Sequence, residues 1–155
     1  MSSNQSNKSM KAIVWEGKPF HMAVEDQPIP RINDPNDVVI RITTSAICGS
    51  DLHTYRGLAG SKNPPWTMGH EGIGTIVQGE EVRSLKVGDR VTVGIISCGY
   101  YDFGPDLGDT QAQYIRVPLA DSSCFKLPPS AEHDLDYGFC GPSLDQSPFD
   151  QWWGC

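Results

Sequence analysis

Nowhere in the 155 residues does an apolar run approach the ~18 positions that a membrane-spanning helix requires, so no membrane partner is expected. Met1 to Ser9 is polar and lacks the apolar core of a secretory leader, which makes a cytoplasmic protein the expectation. Basic residues are few, with 12 Lys and Arg against 19 Asp and Glu. Phosphate backbones are gripped by a basic face, so nucleic acid is not an expected partner. Much of the acidity is local: between Asp121 and Cys155, Asp121, Glu132, Asp134, Asp136, Asp145 and Asp150 face the single Lys126. Cysteine is never closely paired, since Cys48, Cys98, Cys124, Cys140 and Cys155 form an odd set without any C-x-x-C. Secreted disulfide scaffolds are shorter and richer in cysteine, so reduced thiols are expected. There is no G-x-G-x-x-G turn for a dinucleotide. Before Ser130 no stretch keeps a 3.6-residue apolar period for long, which argues against a helical body.

What remains is a series of short β-prone runs punctuated by glycine and proline. Lys11 to Trp15 is followed by the turn-like Glu16-Gly17-Lys18-Pro19, and Phe20 to Glu25 is its expected hairpin partner. Pro28, Pro30 and Pro35 interrupt regular structure until Asp37 to Ile42, the clearest strand of the chain. Ala46 to Gly57 reads as loop or one helical turn, with Ser50 or Asp51 capping its first amides. Pro64-Pro65 forbids helix before Trp66, an aromatic that fits an ordinary core better than a pocket wall. Gly74 to Val77, Asp89 to Val93 and Tyr114 to Val117 complete the series. Such strands with Gly/Pro turns predict a mainly β fold, a partly open β-barrel.

Two clusters carry the chemistry: Cys48-Gly49-Ser50-Asp51-Leu52-His53 and Gly69-His70-Glu71-Gly72-Ile73-Gly74. Catalytic zinc takes three protein ligands of the Cys, His and carboxylate types and keeps a fourth position open, so Cys48, His70 and Glu71 are suitable donors. Their spacing is no compact metal signature, and a structural cysteine and histidine is the plainer alternative.

Together with Val87-Gly88-Asp89-Arg90-Val91, these clusters resemble the zinc-dependent medium-chain alcohol and polyol dehydrogenases, in the family's order and near its spacing. The resemblance implies a GroES-like catalytic domain that holds one catalytic-type zinc through Cys48 and His70. It places Glu71 beside the metal, able to enter its coordination, and Asp51 behind His70 to fix the imidazole tautomer. Ser50 and His53 match the proton relay, through which an alcohol's proton leaves while its hydride goes to a nicotinamide. A small alcohol or polyol is the substrate class that the resemblance implies.

Departures from the family pattern shape the remaining expectations. The doubly wound dinucleotide-binding domain has no counterpart here, so NAD(P), used by complete relatives, is not expected to bind these residues. Of the four-cysteine lobe that closes a structural zinc in many members, only Cys98 is present, too little for a tetrahedral site. The glycine that ends the G-H-E-x-x-G strand comes one residue early, as Gly79, so Thr75 to Glu80 should absorb a slip in a bulge or turn. The third protein ligand, which the family supplies from beyond the barrel, has no counterpart here, and Cys140 is the only cysteine of the tail placed to substitute, with a free thiol as its plain alternative. The resulting organisation is a disordered terminus at 1–9, a truncated GroES-like domain over 10–130, and a divergent, disordered tail over 131–155. Such a domain should not turn over alone, because hydride transfer is cofactor chemistry. The alternative is a non-catalytic metal-binding module that associates with itself or with a full-length relative, and a truncated product without function is a third reading.

Overall fold

The computed structural model describes residues 9–59, 63–93 and 109–128. Among the described residues eight strands form two open sheets. The three-stranded sheet has the order β2-β1-β4, with β1 at Ser9–Trp15, β2 at Ala23–Pro28 and β4 at Trp66–Thr67. The five-stranded sheet has the order β7-β3-β5-β6-β8, from Tyr114–Val117, Val38–Ser45, Gly72–Gly79, Arg90–Val93 and Cys124–Lys126. Every pairing is antiparallel. The expected partly open barrel thus takes the form of two open sheets, with no closed barrel among the described residues. The described residues also hold two short helices, α1 at Gly49–Tyr55 and α2 at Ala120–Ser123.

The sheets share one core. Met10, Ala12 and Val14 from β1 pack with Val38, Ile40, Ile76, Val91, Ile115 and Val117 from the larger sheet. β3 lies between β7 and β5, and its consecutive buried Val38, Val39 and Ile40 show both faces covered at that end. An isolated bridge, Ala12 to Ala112, joins β1 to the segment leading into β7, beside Ile13 N–H donating to Gln111 O at 2.9 Å. Trp15, Trp66 and Met68 form a second cluster in which the two indoles lie 4.6 Å apart, so Trp66 is a packed aromatic.

Differences from expectation have local causes. β1 already begins at Ser9, inside the terminus expected to be disordered, because Ser9 pairs with Pro28 across the β1–β2 ladder. β2 starts at Ala23 and not at Phe20, whose φ of 62° places it in a left-handed turn. The segment after β3 winds into seven helical residues, more than the single turn expected. In the β3–β5 ladder, Val39 faces Gln78 and Ile40 faces Ile76, which leaves Val77 as an extra residue inside Thr75 to Glu80. Cys98, Cys140, residues 1–8 and the tail over 131–155 lie outside the described residues.

Candidate metal centre

Antiparallel pairing of β3 with β5 brings the two clusters together. The ladder ends at Ser45 opposite Gly72, so the chain leaving β3 toward Cys48 starts beside the chain that enters β5 from His70 and Glu71. Ala46 N–H donates to Glu71 O at 3.1 Å and extends the contact by one step. Cys48 is the N-cap of α1, a role expected of Ser50 or Asp51. Asp51 instead stands at N3 and accepts the Cys48 N–H at 2.9 Å, the return half of a capping box.

One ligand atom each from Cys48, His70 and Glu71 lies within 4.8 Å of the others. His70 is buried, Cys48 and Glu71 half-buried. The imidazole is held from both sides: its Nδ1 faces Asp51 Oδ1 at 3.5 Å, and its Nε2 meets Ser50 Oγ at 3.1 Å. A carboxylate at Nδ1 favours the proton there, which leaves the lone pair on Nε2, the nitrogen beside Ser50 Oγ, as the donor. Thiolate, imidazole and carboxylate form a donor set that suits zinc. His53 follows Ser50 by three residues on α1, on the same helical side and half-buried. Cys48, His70 and Glu71 thus offer ligand atoms within 4.8 Å of one another, Asp51 and Ser50 lie against the two ring nitrogens of His70, and His53 stands one helical turn from Ser50.

Three residues that no motif singles out enclose the centre. Glu71 O accepts from Ser45 Oγ at 3.1 Å and from Thr110 Oγ1 at 3.0 Å, besides the Ala46 amide. Gln111 Nε2 donates to Asp51 Oδ2 and to Ala46 O, both at 3.3 Å. Partly buried Asp109 lies in the same segment; burial, and then the charge of Asp51, push its carboxyl up to about 7. The readable signal was in the glycines. A Cβ at Gly69 would come within 2.8 Å of Gln111 N, and one at Gly72 within 2.8 Å of Thr110 Cβ, so another segment must lie against the G-H-E-G backbone.

Comparison with known proteins identifies relatives of the chain. Residues 34–129 match the family described as alcohol dehydrogenase GroES-like domain. Over 145 residues the chain is 38% identical to zinc-type alcohol dehydrogenase B of Aspergillus flavus, a match that takes in 82% of this chain and 33% of that protein. Among solved structures, the apo form of zinc dependent alcohol dehydrogenase 2 from Streptococcus pneumonia superposes with a TM-score of 0.71 at 31% identity, covering 85% of this chain and 41% of that one. An alcohol dehydrogenase from E. coli CFT073, solved with NADH, gives a TM-score of 0.67 at 29% identity over 83% of this chain and 41% of its own. The chain spans half or less of the length of the curated relatives it matches.

Proposed function

The chain belongs to the alcohol dehydrogenase GroES-like domain family, and from that premise we propose that it is the zinc-binding catalytic domain of an oxidoreductase acting on a small alcohol or polyol. The observation that carries this reading is the convergence of Cys48, His70 and Glu71 within 4.8 Å, with Asp51 on the far nitrogen of the imidazole. Cys48 and His70 hold the metal, and Glu71 or water completes its shell. Zinc supplies Lewis acidity that stabilises negative charge developing on a substrate oxygen. Asp51 keeps His70 in the tautomer that presents Nε2 and anchors the Cys48 backbone through its N–H. Ser50, on the Nε2 side of His70, accepts the substrate hydroxyl proton as it gives up its own, and His53, one turn along α1, takes that released proton toward solvent. Hydride acceptance belongs to a nicotinamide. These 155 residues contain no glycine-rich strand-to-helix turn for its pyrophosphate, so no step of that transfer is assigned to them, and turnover by this chain alone is not expected.

Zinc bound per chain, measured by mass spectrometry on purified protein, tests the proposal. At most one zinc is expected, lost in the Cys48→Ala, His70→Ala double variant. Two zincs per chain, or one that survives both substitutions, overturns it.

A further inference from the structure

We propose that Gln111 is a positioning residue for the metal centre, holding the Asp51 carboxylate in the orientation that serves Cys48 and His70 together; this rests on the zinc reading given above. Asp51 has two oxygens and three neighbours. Oδ1 faces His70 Nδ1 at 3.5 Å, while Oδ2 accepts the Cys48 N–H at 2.9 Å and the Gln111 amide at 3.3 Å. Turning the carboxylate part-way about its Cβ–Cγ bond would swing both oxygens off these partners and weaken the contacts to both ligand-bearing residues. The Gln111 amide has two N–H donors. Nε2 serves Asp51 with one and Ala46 O, at 3.3 Å, with the other, so it ties the start of the Cys48 arm to the third residue of α1.

Gln111 is itself held firmly. Its N–H donates to Met68 O at 2.9 Å, and its own carbonyl accepts the Ile13 N–H at 2.9 Å. Its aliphatic stem lies over Gly69, where an added Cβ would come 2.5 Å from Gln111 Cγ. Gly69 has φ +92° and directly precedes His70. One side chain thus touches the chain approaching His70 and both ends of the turn that presents Cys48. Removing partners that stand behind a metal's ligands typically costs about 10- to 100-fold in metal affinity.

The full 155-residue chain carries the test, with Gln111→Met, which keeps the stem over Gly69 and deletes the donor, beside Gln111→Glu, which keeps the length and replaces the donor with an acceptor. Zinc affinity is read by chelator competition, the visible spectrum of bound Co2+ reports ligand geometry, and melting in EDTA reports the metal-free fold. Both variants are expected to melt cooperatively in EDTA, to bind zinc about tenfold more weakly, and to shift the Co2+ bands. A purely structural role would lower melting without moving the affinity or the spectrum. Zinc affinity within twofold of the parent and an unchanged Co2+ spectrum in Gln111→Met overturn the inference; if that variant does not fold, Gln111→Glu decides on the same two readouts. Cys48→Ala, measured in parallel, separates the two levels. If it binds zinc like the parent, the centre itself is misassigned and the inference falls with it; if it loses zinc while Gln111→Met does not, only the inference falls.

Discussion

Replacing Gly74 by alanine probes the link between the sheet and the metal centre. Gly74 lies in β5 opposite Ile42 of β3, close to where that ladder shifts register between Ile42 and Thr44. A Cβ built there would overlap the Arg41 carbonyl oxygen and come within 2.6 Å of Ile40 Cγ2 and 2.9 Å of the Arg41 carbonyl carbon. Two of those three atoms are backbone of β3, so no rotamer change relieves the clash and the strands must separate. Overpacking of this kind costs about 1–3 kcal/mol, and a ladder hydrogen bond lost beside it adds about 1 kcal/mol. A destabilisation of about 2–4 kcal/mol follows, which for a chain of this size lowers Tm by about 10 °C. Urea unfolding in EDTA measures it without the metal. Gly49→Ala is the control: nothing lies within 4 Å of its added Cβ, and in a helix alanine is better than glycine by up to about 1 kcal/mol. Because the same ladder delivers Cys48 to His70, zinc affinity should fall in Gly74→Ala as well. A loss below about 1 kcal/mol, no greater than the ordinary effect of a point substitution, would show that β3 and β5 tolerate the separation and would refute the coupling.

Asp109 gives a pH-dependent expectation. Its carboxyl is raised from the ordinary 3.8 to about 7, so between those values the folded chain binds more protons than the unfolded one, and this group erodes stability as pH rises through that window. In EDTA, Asp109→Asn should melt above the parent at pH 8 and level with it at pH 4; an equal gain at both would assign the effect to packing. NADH and NADPH should give no saturable fluorescence change with this chain, and such a change with either would require a dinucleotide site that the sequence does not display.

Much of the fold was legible because strands with buried faces advertise themselves, by alternation where one face is covered and by an apolar run where both are. β7 alternates as Tyr114-Ile115-Arg116-Val117 and has the expected bounds, while β3, with Val38-Val39-Ile40, starts within a residue of the expected Asp37 and runs on to Ser45, three residues past Ile42. Short elements were less legible. β4 is only Trp66–Thr67, and it exists because Trp15 and Val14 offer it an edge, a tertiary cause without a local signature. Residue types and family resemblance named Cys48, His70, Glu71, Asp51, Ser50 and His53. Ser45, Thr110 and Gln111 escaped because hydroxyl and amide side chains are common on any surface, and their roles arise only where Gly69 and Gly72 let the segment over 109–113 lie against the G-H-E backbone. Cys48 as N-cap was missed for a related reason: a thiol is a poor capping group, and Asp51 at N3 supplies the anchoring hydrogen bond.

That last detail ties local folding to the site's chemistry. A seven-residue helix is far too short to persist unaided in water. α1 is fixed at its start by Asp51 accepting from Cys48, and at its end by the Phe20 N–H donating to Tyr55 O at 2.6 Å, with the two rings meeting edge to face at 5.6 Å. Its first turn places Cys48, Ser50 and Asp51 around His70, and its second carries His53. The carboxylate that nucleates this helix is therefore the same one that orients the imidazole, so a substitution at Asp51 acts on helix and imidazole together. A third contact from outside the helix, such as the Gln111 amide, is what allows the two effects to be separated by mutation.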